Sequence, residues 1–136
     1  RHTIMKIQES AENYLETILM LGKAKGNVRS IDIATALSFS KPSVSVAMKN
    51  LRENGYILMD KDGFIALTEK GHEIAETIYE RHTLLSSFLM YLGVSKETAT
   101  QDACRIEHVI SPESFEALKQ HVYSHKEIMD IKDVKI

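Results

Sequence analysis

Residues 30–57 read SIDIATALSFSKPSVSVAMKNLRENGYI. Ser30 is placed to cap a short helix that carries Ile31, Ala34 and Leu37 on one side. SFS makes a brief turn. Ser40 is placed to cap a second helix with Pro42 in its first turn, where a missing N–H costs nothing. Val44, Met48 and Leu51 repeat at helical spacing and form its buried stripe, and Gly55 closes it. Two short helices joined by a tight turn predict a helix-turn-helix. The continuation, LMDKDGFIALT, adds a strand over Tyr56–Met59, a DKDG turn and a strand over Phe64–Leu67. A hairpin following a helix-turn-helix predicts a winged helix.

Upstream, Ala11, Tyr14, Leu15, Ile18 and Leu19 mark one apolar helical face over residues 10–22, with Ser10 as N-cap and Gly22 near the end. Downstream, a long helix runs from about Glu69 to Leu92 with Ala75, Ile78, His82, Leu85 and Leu89 facing inward. LGVS breaks it. A helix over roughly Lys96–Ile110 follows, and Ser111-Pro112 starts another with Phe115, Leu118 and Val122. The expected fold is mainly α: a winged helix-turn-helix over residues 1–70, then an all-helical unit over residues 71–136. The tail KEIMDIKDVKI carries no clear pattern.

The bulk numbers set limits. At 136 residues and 43% hydrophobic, the chain can bury a real core and is not a disordered segment. No apolar run reaches the length of a membrane span, and RHTIMKIQES lacks the apolar centre of a signal peptide. One cysteine forms no internal disulfide, which fits the cytoplasm. Net charge is −2, with the bases gathered in the middle and the acids in the C-terminal half, so a DNA-binding middle is permitted but not demanded.

The chemistry concentrates in ACRIEHVIS, residues 103–111. Cys104, Glu107 and His108 stand at i, i+3 and i+4 and share a helical face, while Ala103, Ile106, Val109 and Ile110 are expected on the opposite side. Thiolate, carboxylate and imidazole all donate electron pairs to a divalent cation. Alone, the triplet also reads as a packed cysteine beside two ordinary surface residues. His82 on the preceding helix, and Asn13 and Glu16 off the apolar stripe of the first, add donors on other elements. His121 and His125 form a further i, i+4 pair, for which a solvated helix end is the simpler reading.

AENYLETILML, the stretch quoted first, LTEKGHEIA, RHTLLSSFL and CRIEHVIS together resemble the diphtheria-toxin-repressor family of iron-dependent regulators and manganese transport regulators, over the chain to about His121. The resemblance implies a homodimeric, non-enzymatic transcriptional regulator, a repressor of metal-uptake genes, that binds palindromic double-stranded DNA when metal ties its first helix to its helical domain. It implies a primary metal site of Cys104, Glu107, His108 and Asn13, with Glu16, His82 and Glu107 able to hold a second ion. Asn13 stands where the family has Asp or Met. Ser86 and Thr100 stand where the iron branch has ancillary ligands, so that version of the ancillary site is not expected. Cysteine at position 104 is the iron-branch choice and Glu16 the manganese-branch choice. The expected cofactor is Fe2+ or Mn2+; Zn2+, Co2+ and Ni2+ also suit such donors in vitro.

On the DNA side, the N-terminal half of a recognition helix enters the major groove. Ser40, Lys41, Pro42, Ser43, Ser45 and Val46 stand there, Val46 able to meet a thymine methyl, with Lys49, Arg52 and wing Lys61 directed to phosphates. Two other readings follow from the residues: a metal-free winged-helix regulator that senses oxidants through Cys104, and a small metal-dependent hydrolase, which leaves the helix-turn-helix unexplained.

Overall fold

The computed structural model describes residues 2–125, with side chains from residue 9 onward. The elements run α1 (His2–Lys25), α2 (Ser30–Leu37), α3 (Lys41–Glu53), β1 (Ile57–Met59), β2 (Ile65–Leu67), α4 (Glu69–Tyr91), α5 (Lys96–Val109) and α6 (Pro112–Tyr123). They form two compact units, Arg1–Glu76 and Thr77–Ile136, and α4 begins in the first and continues into the second. The unpatterned tail lies outside the described residues. No helix among the described residues is long and apolar enough to cross a membrane.

In the first unit α2 packs on α3, and α1 packs on α2 and β2. Val44, Met48 and Leu51 are buried, as the stripe predicted, and join Leu15, Ile18, Leu19, Ile33 and Ile57 in the core. The Ser40 hydroxyl accepts the Ser43 N–H at 3.3 Å and caps α3, and Pro42 falls in the first turn. β1 and β2 pair antiparallel, Leu58 opposite Ala66, with Asp60 Oδ1 accepting the N–H groups of Asp62 and Phe64 to fix the turn. Gly63 there has φ +85°, a conformation L residues avoid. The wing is anchored to α4 by Thr68, whose hydroxyl donates to the Gly55 carbonyl and accepts the Gly71 N–H.

Several local expectations are corrected. Ser10 and Gly22 lie inside α1, which runs on to Lys25 and ends at Gly26 with φ +90°. Ser30 is the first residue of α2, not its cap; Arg29 holds the cap position, and its N–H donates to Asp32 Oδ2 at 2.8 Å. Ile31 is exposed and Ile33 buried, because α2 turns its Ile33–Ala34 edge to the core. The strands are shorter than expected by one residue each at their starts.

In the second unit Leu84, Phe115 and Val122 form the core, with Phe88, Ile110 and Leu118 packed around it. Ser95 and Ser111 cap α5 and α6 by accepting the N–H groups of Thr98 and Ser114.

Candidate metal centre and DNA-reading face

α5 does not divide its faces as expected. Ala99, Ala103 and Glu107, each four residues apart, are its buried residues, while Val109 is 61% exposed. At 100° per residue, Glu107 lies 40° from Ala103 and 60° from Cys104. The carboxylate therefore sits on the packed face, and Cys104 lies at its exposed margin. Burying a carboxylate completely is costly unless charge and hydrogen bonds meet it.

An imidazole nitrogen lies near each of its oxygens. Glu107 Oε1 lies 2.8 Å from His82 Nδ1 on α4, and Oε2 lies 3.3 Å from His108 Nε2 one residue on. Cys104 Sγ stands 3.7 Å from the same His82 nitrogen. One donor atom each from His82, Cys104 and Glu107 lies within 4.8 Å of the others. Donors bonded to one ion at about 2.1–2.3 Å sit roughly 3–4 Å apart, so small side-chain adjustments complete such a set. Imidazole, thiolate and carboxylate, two of the three residues buried, fit a divalent transition metal chemically and in spacing.

Other features fix this arrangement. Arg81 Nη1 donates to the carbonyls of Glu107 and Ile110, each at 3.1 Å, holding the C-terminal turn of α5 against α4. The Ser86 hydroxyl donates to the His82 carbonyl at 2.7 Å, so that side chain is engaged with its own helix. Sequence periodicity gave no signal for Arg81, since its role depends on tertiary contact. Glu16 on α1 is buried and Asn13 half-buried. The His121 and His125 rings are 4.4 Å apart and exposed, and His125 Nδ1 meets the His121 carbonyl, the local contact of a helix end.

In the first unit all nine candidate DNA-reading residues, Ser40, Lys41, Pro42, Ser43, Ser45, Val46, Lys49, Arg52 and Lys61, are exposed. Ser40 caps the helix and also donates its hydroxyl proton to Ser43 Oγ at 2.9 Å. That commits the Ser40 proton locally and leaves Ser43 as the outward donor. Arg52 Nη1 lies 3.7 Å from Met59 Sδ, which braces it on the wing. Sequence reading did not single out Arg29, which stacks over Phe64 at 4.3 Å, or Leu58, 62% exposed on β1.

Residues 6–65 match the family model "Iron dependent repressor, N-terminal DNA binding domain", and residues 68–128 match "Iron dependent repressor, metal binding and dimerisation domain". The chain belongs to the iron-dependent repressor family. Within this family it is 35% identical to the transcriptional regulator MntR of Escherichia coli over 87% of its own length and 76% of that protein's. It is likewise 35% identical to the HTH-type transcriptional regulator MntR of Bacillus subtilis, over 93% of its own length and 89% of that protein's. Among solved structures it is similar to the manganese regulator SloR, with a TM-score of 0.74 and 31% identity; 83% of this chain is covered, and it spans 53% of that longer chain. The iron-dependent repressor family is one of metal-dependent transcriptional regulators, as the resemblance implied.

Proposed function

We propose that this chain is a metal-responsive repressor of metal-uptake genes, acting in the cytoplasm as a homodimer on a palindromic operator and catalysing no reaction. The observation that carries this reading is the fully buried Glu107 carboxylate set between His82 and His108, with the Cys104 sulfur beside it. A divalent ion, when bound, supplies the positive charge and the coordination bonds that offset the lost hydration of carboxylate and thiolate. His82, Cys104, Glu107 and His108 would hold it, with Asn13 and Glu16 as the donors contributed by α1. The mix of one soft sulfur with hard oxygens favours Fe2+, with Mn2+ next.

The proposed division of labour puts DNA recognition in residues 1–70 and metal capture with dimerisation in residues 71–136. Ser43, Ser45 and Val46 would face base edges while Lys41, Lys49, Arg52 and Lys61 meet phosphates. A purely thiol-based oxidant sensor would have no use for a buried Glu107 carboxylate. Electrophoretic shifts on a selected operator, run anaerobically with Fe2+, with Mn2+ and with chelator, test the reading. DNA affinity should rise with metal; equal affinity in every condition would refute it.

A further inference from the structure

Arg81 immediately precedes His82 on α4, yet its side chain belongs to the end of α5. One nitrogen, Nη1, donates to both the Glu107 and Ile110 carbonyls at 3.1 Å. Glu107 is thus gripped twice from neighbouring positions of α4: by its backbone through Arg81 and by its carboxylate through His82, at 2.8 Å. The guanidinium lies 5.4 Å from the Phe115 ring centre at the start of α6, so the same side chain also borders the core. Its Nε is buried with no hydrogen-bond partner. Leaving a buried N–H unmade is unfavourable. Arg81 is held in a geometry that serves the two carbonyls at the expense of its own satisfaction.

We propose that Arg81 is a positioning residue for the metal centre: by locking the last turn of α5 to α4, it sets the separation between His82 and the donors Cys104 and Glu107. This rests on the metal reading above. It assigns the affinity of the site partly to a side chain that touches no donor atom. Groups that orient metal ligands from behind are worth about 10–100-fold in metal affinity.

The test uses the full chain, anaerobic, titrated with Co2+ and followed by thiolate-to-cobalt absorption. Arg81→Met should weaken Co2+ binding about 10-fold or more and alter the spectrum. Arg81→Lys, which can reach one carbonyl, should recover part of both. Val122→Ala, a core change in the same unit, controls for destabilisation and should keep the wild-type affinity and spectrum even where its thermal midpoint falls further. Wild-type affinity and spectrum in Arg81→Met would overturn the inference, as would an equal loss in Val122→Ala. If Arg81→Met does not fold, Arg81→Lys against Val122→Ala decides on the same terms. Failure of the wild-type chain to take up cobalt would overturn the metal reading and this inference together, whereas wild-type uptake unaffected by Arg81 changes would overturn the inference alone.

Discussion

Glu107 is the residue at which stability and function oppose each other. The residue is 0% exposed, and an imidazole nitrogen lies 2.8 Å from one of its carboxylate oxygens and 3.3 Å from the other. A neutral isostere removes the carboxylate's desolvation cost while keeping its shape and a hydrogen-bonding amide beside both imidazoles. Glu107→Gln should therefore leave the thermal midpoint of the metal-free protein unchanged or raised. It should abolish the increase produced by Mn2+ or Co2+, about 2.7 kcal/mol for the parent at 100 times its dissociation constant. Differential scanning calorimetry with and without metal measures both; a metal-free variant that is strongly destabilised would assign Glu107 to structure alone. The type and spacing of the donors were legible in the sequence because i, i+3 and i+4 positions converge on any helix. Their burial was not. Whether Glu107 joins Cys104 outside or Ala103 inside depends on which way α5 rolls against α4, and tertiary packing decides that.

At the scale of elements, the helix-turn-helix and wing were readable because each carries its own punctuation: Ser40 and Pro42 at one start, Gly55 and Gly63 at two reversals. Misreadings fell where punctuation was ambiguous. Ser10 and Ser30 look like caps, but α1 continues through the first and Arg29 precedes the second. Ile31 and Ile33 are equally apolar, and only packing selects between them. Gly71 was not legible at all, since nothing local requires it: a Cβ there would run into the Tyr56 carbonyl oxygen. Gly71→Ala should cost about 1–3 kcal/mol through overpacking and loosen the wing, read as a lower urea midpoint and faster amide exchange at Ile57–Met59. An unchanged midpoint would mean that α4 shifts freely. The α2 start carries a pH dependence. The Lys25 ammonium, above all, and the Arg29 N–H hold the Asp32 carboxyl below its ordinary range. Its folded-state pKa is depressed, so its contribution is complete above about pH 4 and fades as pH falls through the lowered value. It is small because the pair is exposed. Asp32→Asn should flatten the acid limb of a stability–pH curve, and an unaltered limb would place that dependence elsewhere.

For the whole molecule, the reading of a DNA-binding first half and a metal-binding second half implies a reciprocal coupling. If metal tightens operator binding 100-fold, about 2.7 kcal/mol, then operator DNA must tighten metal binding by the same factor. Isothermal titration of metal into the free and the operator-bound protein would measure it; unequal factors would point to a change in assembly state between the two experiments. The chain's single cysteine, lying at the exposed margin of the buried donor cluster, has a practical consequence. Cys104 is a one-site reporter supplied by the protein itself. A maleimide dye can attach at one position only, and the rate of attachment should fall steeply whenever the sulfur is engaged by an ion. Stopped-flow labelling could then rank competing ions by occupancy in unmodified protein, with no operator present; a rate indifferent to every ion would mean that the sulfur stays outside the coordination sphere.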